Sequence, residues 1–274
     1  MTIHCLAVGA ITRDRYGDGI AVGGSAFYAA RVLAGLGAAP RVVANAPPEP
    51  VFVNEYPARS ARRQWVDAEA APIRPEGLEA AWRDVDAMFL CPVLGEVPLA
   101  PWLDAVRARW VGLGVQGFLR AAGPAPAGAA RRPVVSAAFH PEPALLSRID
   151  AAFLSEEDLA LAAPDLLERL RASVRLVFLT RGEQGARIFG DGGVADVGVY
   201  STIAVDPTGA GDSFAAACLL ALASGADPVE AARLGAAAAS IVVEGVAGAC
   251  LDRIGEARER AREVPAEQNR FAAR

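Results

Sequence analysis

The chain has 274 residues, 53% of them apolar, and a formal net charge of −5. Such a length accommodates one large α/β unit with an ample core; the acidic balance gives no reason to expect a nucleic-acid partner, no apolar run approaches a membrane span, and no basic-then-apolar leader precedes Ile3. There is no lysine, which removes the P-loop lysine of Walker-type ATPases, the strand lysine of protein kinases and Schiff-base chemistry on lysine.

Ile3 to Gly9 is a short apolar run ending in glycine, a first strand. The polar Asp14 beyond it falls where open α/β sheets place ligand contacts. Gly23 and Gly24 open a helix that runs to Gly37, with Tyr28 inside it as a flat wall. Arg41 to Asn45 reads as a second strand, and after a proline-rich break Val51–Tyr56 and Arg62–Ala68 read as two strands joined by a turn. Asp86–Cys91 is a buried-type strand, Pro98–Arg109 a helix and Trp110–Val115 a strand. Glu96 and Gln116 fall just after strands and are candidate substrate contacts. Gly123–Ala130 is a Pro/Gly/Ala loop, after which Arg131–Ala138 returns to the sheet.

Asp150–Leu154 is a further strand. Ser155 and Asp158 follow it at the spacing of a capping box. Val174–Thr180 is a strongly apolar strand leading into Thr180-Arg181-Gly182-Glu183-Gln184-Gly185. There Thr180 offers a hydroxyl, Gly182 and Gly185 let backbone approach phosphates, and Arg181 can supply the charge that lysine does not. Val197–Val205 is an apolar, strand-like run. It ends at Asp206-Pro207-Thr208-Gly209-Ala210-Gly211-Asp212-Ser213-Phe214, which enters a buried helix reaching Ala223.

Glycines before a helix let its first N–H groups converge on one spot, which favours anions. Asp212 at the mouth of that trap is a carboxylate able to take a proton from a hydroxyl. An anion hole beside a base is what phosphoryl transfer to an alcohol needs. The bland alternative is an ordinary turn with Asp as N-cap. Asp227-Pro228-Val229-Glu230 starts another helix, running to about Val243, whose small residues leave room for a flat ring. The arginine-rich end from Arg258 onward reads as a surface helix. The four cysteines (Cys5, Cys91, Cys218, Cys250) lack metal spacing and suit a reducing, cytoplasmic setting. His4 and His140 have no partner nearby in sequence, so a Ser-His-Asp triad or His-rich zinc site is poorly supported.

The stretch Asp206–Phe214 closely resembles the C-terminal signature of the PfkB/ribokinase family of carbohydrate kinases. Gly23–Gly37 is similar to that family's Gly-Gly signature and Thr180–Gly185 to its nucleotide loop. The resemblance implies a ribokinase-like three-layer α/β/α fold over 1–274. Its central sheet would be mainly parallel, with a small β lid whose strands lie around 11–22 and 50–69. It implies ATP as donor with Mg²⁺, Asp212 as base, and Gly209, Ala210 and Gly211 as the anion hole. Asp14 would bind substrate hydroxyls, and Gly23 and Gly24 would lie against the sugar. Tyr28 stands where many members have Asn. Thr180, Arg181, Gly182, Gly185, Thr208, Ala236 and Ser240 would meet the nucleotide, Ala236 replacing an Asn common there. Ser155 and Asp158 replace an Asn-x-x-Glu pair that helps hold Mg²⁺. Asp206 resembles a residue near a K⁺ site of some members, and the lid is a candidate homodimer surface.

The expected acceptor is a neutral polyhydroxylated ring, sugar or cyclitol, because Asp14 and Glu96 suit hydroxyl groups and repel a phosphate. A sugar phosphate would need arginines, and near the site those are Arg13, Arg15, Arg62, Arg63 and Arg120. A nucleoside kinase and a catalytically silent sugar- or nucleotide-binding relative are the alternatives.

Overall fold

In the first strand, β1 (His4–Val8), Cys5 and Ala7 belong to one hydrophobic core while Leu6 and Val8 belong to another. The same alternation recurs in β7 (Asp84–Leu90), β11 (Ala151–Ser155) and β12 (Leu176–Thr180), where Phe89, Phe153 and Phe178 face the first core and Met88, Leu154 and Val177 the second. A strand buried on both faces must be apolar throughout, which is why these segments read as continuous hydrophobic runs.

The computed structural model describes residues 2–16, 19–47, 49–55, 63–129 and 131–267. Within them β8 (Arg107–Gly114), β4 (Ala39–Val43), β13 (Ala186–Gly190) and β14 (Gly193–Val197) complete an eight-stranded sheet of order β14-β13-β12-β11-β8-β7-β1-β4. From β12 to β4 it is parallel, and the antiparallel hairpin β13–β14 closes one edge. The first core lies under α1 (Ser25–Gly35), α6 (Ala210–Ala223) and α7 (Pro228–Val242). The second lies under α2 (Leu99–Ala105), α3 (Pro143–Leu146) and α5 (Leu166–Ser173). The expected three-layer α/β/α fold with a mainly parallel sheet is borne out.

Helix α6 is buried from Ser213 to Ala223, as expected of a helix that is apolar all round. Phe214 fixes its start, meeting Phe153 and Phe178 edge-on at 6.4 and 6.3 Å, while those two rings stack at 5.0 Å. Helix α7 packs directly on α6, and Gly235 permits the approach: a Cβ there would stand 2.8 Å from the Phe214 carbonyl oxygen.

A second, six-stranded sheet has the order β3 (Gly19–Gly23), β2 (Thr12–Tyr16), β5 (Val51–Glu55), β6 (Arg63–Val66), β10 (Arg132–Ser136), β9 (Arg120–Ala122). Strands therefore lie in both expected lid segments, although 56–62, with Arg62, falls outside the described residues. Two corrections follow. The segment 131–138 does not return to the central sheet: β10 pairs with β6 and β9, and its residues are all part-exposed, unsuited to burial on two faces. The run Val197–Val205 is not a strand beyond Val197. Ile203 and Val205 are 83% and 59% exposed, so the segment lies irregularly over the surface.

Candidate active site

The chain leaves β1, β7, β8, β11 and β12 at the same edge of the parallel sheet, and β1 lies between β4 and β7, where the strand order reverses. Open α/β sheets bind ligands in the crevice at such a point. Two cavities lie there, and one turn, 208–212, forms part of the wall of both.

The smaller, about 60 Å³, is lined by Asp14, Gly24, Tyr28, Gln116, Thr208, Gly209 and Asp212, together with Ser25, Phe52, Gln64, Val93 and Arg120. Asp14 lies in β2. It is buried, and its Oδ1 accepts a 2.8 Å hydrogen bond from Thr12 Oγ1. Gly23 lies beneath it, and a Cβ there would stand 2.6 Å from Asp14 Oδ2. Gly24 opens α1 at φ 92° with a Cβ position only 2.3 Å from the Ala10 carbonyl oxygen, a place for glycine alone. Tyr28 is 1% exposed and packs under the turn rather than standing open in the cavity.

The larger cavity, about 740 Å³, is lined by Thr180, Gly182, Gly185, Ala210, Gly211, Ala236 and Ser240 among others. The irregular segment from Val199 to Val205 forms a further wall. Thr208, expected on the nucleotide, lines the smaller cavity instead.

Between them, Gly209 caps α6 in the left-handed region, φ 80°, with no side-chain cap. Asp212 is therefore in the first helical turn and not the N-cap. The Ala210 N–H already donates to the Pro207 carbonyl at 3.2 Å, so it is a compromised member of the expected anion hole. The N–H groups of Gly209 and Gly211 have no acceptor among the described residues. A Cβ on Gly211 would meet nothing within 4 Å, and this residue has no positive φ, so backbone strain in this turn belongs to position 209. Burial first, then the charges of Asp212 and Glu96, push the thiol of Cys91, just past β7, well above its ordinary value.

Five sequence candidates are engaged elsewhere. The Glu96 carboxylate accepts from the backbone N–H groups of Ala10, Val93 and Leu94 at 2.9, 2.8 and 2.7 Å, and joins the exits of β1 and β7 without lining either cavity. Arg181 donates to Asp196 at 2.8 Å, a carboxylate it shares with Arg187, and lines neither cavity. Ser155 and Asp158 close on each other as a capping box at the start of α4 (Glu156–Leu161), and Asp158 is 3% exposed. Asp206 accepts from Thr208 N–H at 2.9 Å and Ala247 N–H at 3.0 Å, which ties the turn to the loop after α7, where Ala247 sits at φ 52°. Among the described residues no cluster of three His, Cys, Asp or Glu side chains is arranged to hold a metal ion. The carboxylates of Asp158 and Asp206 each accept hydrogen bonds within their own turns.

Sequence reasoning missed Ser25, Phe52, Gln64 and Val93 in the smaller cavity, and Tyr200, Thr202 and Arg260 around the larger. Arg260 was expected on the surface but is 8% exposed. The polar trio Tyr200-Ser201-Thr202 was the one available signal, since it interrupts the apolar run.

Residues 123–251 match the pfkB family carbohydrate kinase model. A 59-residue stretch is 46% identical to inositol 3-kinase of Zea mays, covering 22% of this chain and 16% of that protein, so the match spans about a sixth of the curated relative. Ribokinase of Arabidopsis thaliana, solved with ribose and ATP, superposes with a TM-score of 0.68 at 18% identity over 95% of this chain and 99% of that one. A pyrophosphate-dependent kinase of the ribokinase family, solved with a pyrophosphate analogue and myo-inositol, gives 0.71 at 18% identity over 88% and 95%. The expected PfkB/ribokinase resemblance is borne out by the family match and the fold together.

Proposed function

We propose that this chain, which carries the pfkB family match on a ribokinase-like fold, transfers a phosphoryl group from ATP to a hydroxyl of a small polyhydroxylated ring. The observation that carries the reading is the shared turn: Thr208, Gly209 and Asp212 line the smaller cavity, Ala210 and Gly211 the larger. A group passing from one cavity to the other must pass this helix start. Asp212 takes the proton of the acceptor hydroxyl held in the smaller cavity. The N–H groups of Gly209 and Gly211, with the dipole of α6, stabilise charge on the moving phosphoryl group. In-line geometry between two facing sites supplies most of what such a transfer requires.

The larger cavity takes the donor. Its volume and its walls of Val199, Tyr200, Val205, Ala239 and Val243 suit a base and ribose, whereas pyrophosphate would leave most of it empty. Mg²⁺ would enter with the donor's phosphates, held mainly by them and by water.

The acceptor is neutral. Among the described side chains it is Arg120 that lines the smaller cavity, against two carboxylates, Asp14 and Asp212, and Arg13 is paired with Glu49. Asp14, Gln64 and Gln116 suit several hydroxyls around one ring. The local similarity to an inositol 3-kinase favours a cyclitol within this class. A coupled ADP-release assay over inositols, free sugars, nucleosides and sugar phosphates tests the proposal. Turnover with inositols or free sugars is expected; turnover with sugar phosphates alone would overturn the acceptor class, and no turnover with any acceptor would favour a silent binding protein.

A further inference from the structure

Tyr200 stands in the wall of the larger cavity, and the Arg260 guanidinium lies over its ring, 4.8 Å from the centroid. Arg260 comes from α8 (Ala257–Arg260) and is itself held on several sides. It donates to Ser240 Oγ at 3.2 Å, Glu244 Oε1 at 2.6 Å and Glu256 Oε2 at 3.1 Å. Glu244 also accepts from Thr202 Oγ1 at 2.5 Å and from Arg253 at 2.7 Å. The network thus fastens the irregular segment at 200–202 to the end of α7, and three of its neighbours (Tyr200, Thr202, Ser240) line the cavity. Its members fix one another's geometry, since removing any one leaves a partner poorly satisfied.

The same bonds limit what the cavity can read. The single hydrogen of Ser240 goes to the Ala237 carbonyl at 2.7 Å while its oxygen receives Arg260, so the hydroxyl offers the cavity no donor. Ala236, Ala239 and Val243 beside it present only carbon. Beside them stands an aromatic ring with a cation over one face, flanked by Ser201 and by Thr202, whose hydroxyl already donates to Glu244.

Resting on the reading of this cavity as a nucleotide site, we infer that Tyr200 is the stacking platform for the donor's base. Arg260 positions the ring from behind, and the base is held by its face rather than recognised by its edge. A cation over one face of an aromatic ring holds it in place by cation–π attraction and leaves the other face for stacking. Stacking tolerates any base, because every base has a π-face. The donor range is therefore broad, with ATP and GTP accepted alike.

The test is calorimetric binding of ATP, GTP and inorganic tripolyphosphate to the intact protein and to Tyr200→Phe and Tyr200→Leu. Tyr200→Phe keeps the ring and should bind all three as the wild type does. Tyr200→Leu should lose about tenfold in affinity for both nucleotides and little for tripolyphosphate, which has no base to stack. In turnover the same variant should raise KM for the nucleotide with kcat nearly unchanged. Full ATP affinity in Tyr200→Leu would overturn the inference, as would equal losses of ATP and tripolyphosphate. So would a wild-type preference for ATP over GTP beyond about tenfold, since that requires edge recognition. A wild-type protein that binds tripolyphosphate but no nucleotide would instead bring down the reading of the cavity itself.

Discussion

The ring of Tyr28 occupies the space that a side chain on residue 209 would need: a Cβ built on Gly209 stands 2.3 Å from Tyr28 Cε1 and 2.4 Å from Cδ1. The turn between the two cavities is thus seated on a buried aromatic ring from α1, and glycine is required at 209 for this contact as well as for its φ of 80°. Gly209→Ala should fold, since the left-handed strain is about 1–2 kcal/mol, yet displace the turn. We expect kcat to fall by about 10²-fold or more, the usual consequence of misplacing an anion hole. Gly211→Ala, with open space around its Cβ, should retain far more activity. Equal losses in the two variants would show that seating on Tyr28 is unimportant.

Asp158 and Ser155 satisfy each other in a capping box, so Asp158→Ala is a stability variant. About 1 kcal/mol of stability should be lost, the ordinary cost of a broken cap. The Mg²⁺ concentration for half-maximal rate should hardly move. A large rise in that concentration would return Asp158 to the metal site.

Glu244 gives a pH signature. Its hydrogen bond from Arg260 holds its carboxyl down at about 2, against an ordinary value of 4.5, with Thr202 and Arg253 adding to the effect. The folded state thus favours the charged form, so this stabilisation is present above pH 4.5 and is lost as the pH falls through about 2. Glu244→Gln should be less stable than the wild type by about 1–3 kcal/mol at neutral pH. The gap between their denaturation midpoints should close on acidification from pH 5 toward pH 2. A gap independent of pH would mean that the carboxylate's charge does not matter to folding.

Much of the architecture was legible because its causes are local. The runs at 3–9, 86–91 and 174–180 are apolar on both faces of a strand, and Asp227-Pro228 starts a helix with its own cap: Asp227 Oδ1 accepts from Val229 and Glu230 N–H at 2.8 and 2.9 Å. Glu96 and Arg181 misled because a position just past a strand says where a residue lies, not what its side chain meets. Ala10, whose amide meets Glu96, lies 86 residues away in sequence, and Asp196, which meets Arg181, lies on another strand, while the amides at 93 and 94 close a local turn around Glu96. Arg260 was illegible for the same reason, being brought to Tyr200 across 60 residues by Glu244 and Ser240. The segment 131–138 carries a strand pattern, but pattern alone does not say which sheet a strand joins.

The central claim is that Asp212, at the start of α6, takes the proton of an acceptor hydroxyl while the turn before it steadies the moving phosphoryl group. Asp212→Asn preserves the shape of the side chain and removes the base. Measured by ADP release with the best acceptor from the panel, kcat should fall by about 10²- to 10⁴-fold while ATP affinity is largely kept. An Asp212→Asn protein that turns over at the wild-type rate would contradict the account.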